Sequence, residues 1–387
     1  MVYPMVFAFL FIFAMYAATN YYIARKIFKW LQHIFSNING IIYGVIYSLC
    51  ALTIIINLLL SSSAMTTDSN IVNFIGQFGD YWMGIYFYLF LLLILSDVIL
   101  LISKWIKVLP SPTPARVIFH TRSVVLILVI GLVSYGIYNA NHLKEVTYPL
   151  QIHKNTSLDQ LNIVLISDLH LGYVNDVKFI EDVVDRINGL QPDMVLMTGD
   201  IFNGNYYALS NPSKGIELLS TIQSTYGVYA CLGNHDAGRS YDQIVNFIDK
   251  SNIKLLNDEH VVIDNQFVVV GRRDSSPIGN QGNPRAITSE VMSDIDTNMP
   301  VIVMDHQPTN RIEYADDVDL ILSGHTHQGQ VFPANLITNA MFTVDYGHYQ
   351  KNPNSPHVIV TSGAGTWGPP LRIGTNSEIA LIKVDFK

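Results

Sequence analysis

Cysteine is almost absent: 387 residues include only Cys50 and Cys231. Cys50 stands inside an apolar run and Cys231 near the end of a predicted strand. Both read as small buried hydrophobes, and they exclude neither an oxidising nor a reducing compartment. Charge is also scarce, at 14% of residues, and it is unevenly placed. Residues 1–150 hold 8 Lys and Arg against 4 Asp and Glu, whereas residues 151–387 hold 15 against 27. The second part thus carries a net charge of −12, which repels nucleic acid and argues against a nucleic-acid partner.

Four long runs with little or no charge fill the first part, at roughly 3–24, 40–60, 81–102 and 123–140. Each is near the length that a helix needs to cross about 30 Å of hydrocarbon. The first lacks the basic start and small-residue cleavage site of a signal peptide, so it reads as retained. Length and composition together predict two units: a helical membrane domain over 1–150 and a soluble domain over 151–387. The stretch between the second and third runs, Ser61 to Asp80, has no Lys or Arg. Basic residues follow the first run (Arg25, Lys26, Lys29) and the third (Lys104, Lys107, Arg116, Arg122). The positive-inside rule places both basic segments in the cytoplasm and the C-terminal domain on the extracytoplasmic face of a multipass cell-membrane protein. A disulfide between Cys50 and Cys231 would have to join a span to the soluble core, which argues against one. Asp97 lies inside the third run near its cytoplasmic end, where it can meet water or pair with Lys104 or Arg122. Tyr81, Trp82 and Trp105 suit the interfacial belts.

The second part alternates short apolar runs with amphipathic stretches. Asn162–Ser167 ends at Asp168-Leu169-His170, and Asp193–Thr198 ends at Gly199-Asp200. Gly227–Leu232 ends at Gly233-Asn234-His235-Asp236, Pro300–Met304 at Asp305-His306, and Val318–Leu322 at Gly324-His325-Thr326-His327. Asp176 reads as the N-cap of a helix whose apolar face is Phe179, Ile180, Val183, Val184 and Ile187. Five strand-like runs therefore each lead into a residue able to bind metal. In layered α/β architectures the carboxyl ends of strands share one edge, so these residues would converge. Carboxylate, amide oxygen and imidazole form a mixed N/O set suited to Mn, Fe or Zn, with no thiolate at these turns. Two divalent ions about 3.5–4 Å apart can clamp a phosphoryl group, and such a site needs a bridging carboxylate, for which Asp200 is the natural candidate.

These blocks, in this order, resemble the calcineurin-like metallophosphoesterases over about 150–387. The wider arrangement, with apolar spans ahead of them, is similar to multipass bacterial members and to transmembrane proteins with a metallophosphoesterase domain. The resemblance implies an α/β domain built as a β-sandwich flanked by helices, following the α-helical membrane domain. It implies one metal on Asp168, His170, Asp200 and His327 and a second on Asp200, Asn234, His306 and His325. It further implies that a hydroxide between two divalent ions, Mn²⁺ first and Fe or Zn as alternatives, attacks phosphorus. His235 would stabilise the transition state or protonate the leaving oxygen.

One position departs from the family pattern. Relatives often carry Asp where Asn203 stands, and there it bonds the catalytic His. An Asn carbonyl can fix the tautomer of His235 but cannot stabilise its charged form; Asp236 or Asp274 could supply that charge instead. Arg239, Trp367 and Arg372 are candidates for the substrate cleft, against a surface role for Arg239 and a packing role for Trp367. The expected function is metal-dependent hydrolysis of a phosphoester or pyrophosphate bond on a phosphorylated small molecule or a lipid at the bilayer surface. The competing reading is a non-catalytic membrane sensor or accessory protein that binds ligand through a retained metal site.

Overall fold

The computed structural model describes residues 2–62, 70–154, 156–279, 284–314 and 317–387, with side chains omitted at 2–6, 8–9 and 60–62. The chain forms two compact units, Met1–Leu58 with Ile75–Tyr135, and Leu59–Phe74 with Gly136–Lys387.

Four long helices open the chain: α1 (Val2–Ile34), α2 (Gly40–Ser62), α3 (Asn70–Trp105) and α4 (Ala115–Ala140). Among the described residues, three are long and apolar enough to cross a membrane, namely Gly40–Leu59, Asn70–Trp105 and Ala115–Ala140. The expected first span, 3–24, lies in α1 and falls partly on side chains outside the described residues. Many apolar side chains on these helices are exposed, among them Phe11, Ile46, Leu59, Ile99 and Ile130. Such surfaces are costly in water and ordinary in lipid. Asp97 is not partnered by Lys104. Its carboxylate takes the guanidinium of Arg122 and the ammonium of Lys26, and also accepts from Tyr22 Oη at 2.7 Å.

The second unit continues with β1 (Lys144–Ile152), β2 (Gln160–Ile166), α5 (Val177–Leu190), β3 (Met194–Thr198), α6 (Pro212–Leu219), β4 (Val228–Cys231), α7 (Tyr241–Lys250) and β5 (Lys254–Leu255). It is completed by β6 (Glu259–Ile263), β7 (Phe267–Gly271), α8 (Thr288–Val291), β8 (Val301–Met304), β9 (Leu320–Ser323), α9 (Ala334–Met341), β10 (Gly347–Tyr349), β11 (His357–Val360) and β12 (Glu378–Phe386). The strands make two six-stranded sheets, ordered β1-β12-β2-β3-β4-β5 and β10-β11-β9-β8-β7-β6. Strands β2, β3 and β4 run parallel, as do β7, β8 and β9.

Period-two alternation within the strands decides the layers. Leu161, Ile163, Leu165, Met194 and Leu196 from one sheet meet Phe267, Val269, Ile302, Leu320 and Ile359 from the other in the central core. Their neighbours Val164, Ile166, Val195 and Met197 face outward onto α5 and α7, through Ile180, Val183, Ile187, Ile244 and Phe247. On the far face of the second sheet, Val268, Val270, Val301 and Val303 pack with Val291, Ile295 and Tyr314. The result is a β-sandwich with helical cover, as expected. Asp176 does occupy the N-cap position of α5, but its side chain makes no cap bond. The carboxylate accepts instead from the Ser210 backbone N at 3.1 Å and from Ser210 Oγ, tying the helix start to the segment ahead of α6.

Candidate metal centre

Strands β2, β3 and β4 of one sheet and β8 and β9 of the other end in the loops that carry the candidate ligands. Their backbones leave the strands in an unusual conformation. Asp168, His170, Asp200, His325 and His327 all have positive φ, between 44° and 71°. This region is sparsely populated by residues with a Cβ, and strain of this kind concentrates at functional sites. The loops also press against one another. A Cβ on Gly324 would lie 1.9 Å from Ser167 Oγ and 2.2 Å from Asp168 Oδ2, and one on Gly233 would lie 2.2 Å from Asp200 Oδ1. Only glycine permits the approach at those two places.

The side chains converge as two groups of donors. In the first, His170 Nε2 lies 3.0 Å from His327 Nε2 and 3.9 Å from Asp168 Oδ1, and His327 Nε2 lies 3.4 Å from the same Oδ1. In the second, Asn234 Oδ1 is 2.9 Å from His325 Nδ1 and 3.1 Å from His306 Nε2. Asp200 Oδ2 stands between them, 3.6 Å from His170 Nε2 and 3.2 Å from His306 Nε2. Ligands about 2.0–2.2 Å from a shared ion stand about 3–4 Å from each other, which is the spacing seen here. Asp168, His170 and His327 form one candidate metal-holding group, and Asp200, His306 and His325 form another. The donor chemistry fits a divalent ion: oxygen and neutral imidazole nitrogen, all buried or nearly so.

Hydrogen bonds orient several of these donors. His306 Nδ1 donates to the Thr198 carbonyl at 2.8 Å, which leaves Nε2 to face the group. The two Asp168 oxygens accept from the His325 backbone N, each at 3.1 Å, and Asp200 Oδ1 accepts from the His235 backbone N at 2.8 Å. Burial pushes His170 down to about 3 and His325 down to about 4, and lowers His327 well below the imidazole range. Three of the four imidazoles are therefore neutral at physiological pH, the form that ligates metal. Burial raises the Asp168 carboxyl to about 6. It would also raise Asp200, but the charge of His306 and its hydrogen bond hold that carboxyl below the ordinary range. Burial opposes the charge on His306 in turn, and the Asp200 carboxylate overcomes it and raises the imidazole well above its usual value. A divalent ion held beside Asp200 would compensate the same carboxylate and leave the His306 imidazole neutral.

The remaining predicted residues divide. His235 is partly exposed beside this cluster, its ring 5.1 Å from that of His170 and 5.9 Å from the indole of Trp367. Burial lowers its pKa, with the Asp200 charge opposing. No hydrogen bond joins its imidazole to Asn203 or to Asp236 among the described residues. Asp236 spends its carboxylate on the backbone N–H groups of Gly233, Ile201 and Phe202 at 2.8–3.1 Å, so it shapes the loops that carry Asp200 and Asn234. Asp274 acts on His235 only through its charge, while its oxygens bond Gln307 Nε2 and the Ser276 backbone. Trp367 is 54% exposed, its indole beside the His235 ring. Arg239 is exposed on the turn Gly238–Ser240 that follows the Asn234–Asp236 loop.

Arg372 overturns an expectation. It is fully buried, so its side chain is not open to a substrate from solvent. Its guanidinium donates to the carbonyls of His327 (3.0 Å), Ser362 (2.7 Å), Gly363 (3.2 Å) and Gly365 (2.7 Å), so it holds the loops beneath the first group. Burial lowers its pKa to about 10, which leaves it charged. The Arg372 segment is itself tied to the last turn of α4. Its backbone N donates to the Gly136 carbonyl at 3.0 Å, and Asn139 Nδ2 donates to the carbonyls of Arg372 and Thr375. Two further residues carry no sequence signal. Gln330 clamps Trp367 by accepting from its backbone N at 2.8 Å and donating to its carbonyl at 2.9 Å. Asn175 ties the His170 loop to Thr366, bonding the carbonyls of both. An amide that bonds only backbone leaves no pattern in the chain.

The sequence profile of the calcineurin-like phosphoesterases matches residues 161–329. An uncharacterized metallophosphoesterase of Campylobacter jejuni is 30% identical over 275 residues, covering 70% of this chain and 71% of that protein. One from Aquifex aeolicus is 30% identical over 265 residues, covering 68% of this chain and 99% of its own length. A transmembrane protein with metallophosphoesterase domain from Danio rerio is 28% identical over 278 residues, covering 68% of this chain and 62% of that one.

Proposed function

Because the chain belongs to the calcineurin-like phosphoesterase family, we propose that it hydrolyses a phosphoester or pyrophosphate bond at a membrane surface, using two divalent ions. The observation that carries this reading is the position of Asp200 Oδ2, within 3.6 Å of a donor from each of the two groups. One group comprises Asp168, His170 and His327, the other Asn234, His306 and His325, and Asp200 belongs to both. Ions held there would lower the pKa of water and neutralise the phosphoryl oxygens.

The chain's own residues supply the rest. The strained loops fix the donors before substrate arrives, so little reorganisation is left for the reaction. His235 offers its imidazole to the phosphoryl group or to the leaving oxygen. Trp367, on a backbone fixed by Gln330, forms a wall beside His235 on which the leaving group can pack. The contribution of a proton donor grows with the basicity of the leaving group. His235→Ala is therefore expected to lower kcat about 10²–10³-fold on an alkyl phosphoester and clearly less on a p-nitrophenyl ester. Equal losses on both would assign His235 to charge stabilisation rather than proton donation.

The apolar helices support membrane anchoring, and the basic segments near 25–29 and 104–122 favour an outward-facing catalytic domain. A phospholipid or lipid-linked phosphate would then lie within its reach. A reporter fused after Lys387 checks the orientation: activity only from a cytoplasm-specific reporter would reverse it. The chemistry is tested with metal-stripped protein resupplied with Mn²⁺ and offered bis-p-nitrophenyl phosphate and p-nitrophenyl phosphate. Metal-dependent release of p-nitrophenol is the expected result. Two bound ions without turnover of any phosphoester would favour the ligand-sensing reading.

A further inference from the structure

The helical unit holds a cavity unrelated to the metal centre. It has a volume of about 470 Å³ and lies between the second half of α1 and the first turns of α4. Arg25, Lys26, Lys29 and Arg122 line it. The only acid bonded to any of them among the described residues is Asp97, which engages Lys26 and Arg122. Arg25 and Lys29 make no ion pair among the described residues, so the cavity keeps an excess of positive charge. Its remaining wall is aromatic: Trp30 stacks on Phe119, and its Nε1 is already spent on Ser123 Oγ at 2.9 Å. Four cations gathered around one carboxylate repel each other unless an anion joins them, and the space is ample for a phosphate-bearing headgroup.

A second cavity, of about 560 Å³ and mostly apolar, follows the groove between α1 and α2 from Phe13 to Phe28. Tyr21 and Arg25 line both cavities, so the two lie on either side of that ridge of α1. From residue 13 to residue 24 the helix rises about 17 Å, comparable with a long acyl chain. An inorganic anion would use the basic cavity alone, whereas a lipid would use both. We propose that this pair of cavities binds one anionic phospholipid, its phosphate among Arg25, Lys26, Lys29 and Arg122 and an acyl chain along the apolar groove. This site is independent of the proposed hydrolysis.

The test uses full-length, metal-stripped protein, so that no lipid is consumed. It is released from nanodiscs of mixed phosphatidylglycerol and phosphatidylcholine, and retained lipid is counted by native mass spectrometry. One phosphatidylglycerol is expected per chain, retained over phosphatidylcholine. Arg25→Gln with Lys29→Gln is expected to reduce that retention about tenfold or more, as loss of two surface cations implies. Gly44 lines the groove and a Cβ there would meet nothing within 4 Å, so Gly44→Phe places a ring in the groove's path and is expected to reduce retention with every cation in place. Circular dichroism and thermal unfolding of both variants confirm that the helices are intact. Equal retention of the two lipids, unchanged retention in either variant, or displacement of the lipid by inorganic phosphate alone would overturn the proposal.

Discussion

Asp200→Asn is expected to abolish metal-dependent phosphoester hydrolysis, lowering kcat/KM by roughly 10³-fold or more. The fold should survive, because the amide oxygen can still accept from the His235 backbone N where Oδ1 now does, at 2.8 Å. The amide nitrogen would then take the place of Oδ2 and point two hydrogens at a position flanked by His170 Nε2 and His306 Nε2. That exchange removes the one negative oxygen common to both donor groups and replaces it with a donor that repels cations. Bound metal should fall with the charge, and the metal-free protein, which loses the buried Asp200–His306 pair, should keep its fold with a lowered thermal midpoint. The measurements are initial rates on bis-p-nitrophenyl phosphate and metal content by mass spectrometry after gel filtration. Activity within tenfold of the parent would remove Asp200 from the centre of the account.

The second large effect is structural. Arg372→Ala is expected to destabilise the second unit by about 3–5 kcal/mol, because four buried carbonyls lose their donor and a long side chain leaves a void. For a unit of this size that is about 10 °C in the thermal midpoint. Arg372→Lys keeps the charge but offers a compact ammonium in place of a planar fork, so it should recover only part of the loss. Metal retention should fall with stability in both variants, since the His327 carbonyl is among the groups released. An unchanged midpoint for the Ala variant would mean that Arg372 is not what holds these loops.

The contrast between these two residues marks how much the chain disclosed. The seven candidate donors stand out because their residue types are uncommon together, keep a fixed order, and each follow an apolar run that ends in a strand. Their grouping into two sets came with the family resemblance, and it agrees with the separations between their nitrogen and oxygen atoms. Arg372 was misplaced because an arginine near a glycine-rich loop looks the same whether it faces solvent or bonds four carbonyls. The link between Asp97 and Lys26 was likewise hidden, since it joins residues 71 positions apart. β1 escaped notice for a local reason. Pro149 argues against a strand, and it is tolerated here because β1 lies at the edge of its sheet, paired only with β12. The positive φ values at five donors have no sequence signature either, since Asp and His are ordinary strand-end residues.

The central claim is that two ions act together on one phosphoryl group, and a single titration tests it. Metal-stripped protein would receive Mn²⁺ in increments while bound metal and bis-p-nitrophenyl phosphate turnover are followed in the same samples. The account predicts that turnover saturates at two ions per chain and that Asp200→Asn neither binds the full complement nor turns over. Full turnover without added metal, or two tightly bound ions with no hydrolysis of any phosphoester offered, would contradict it.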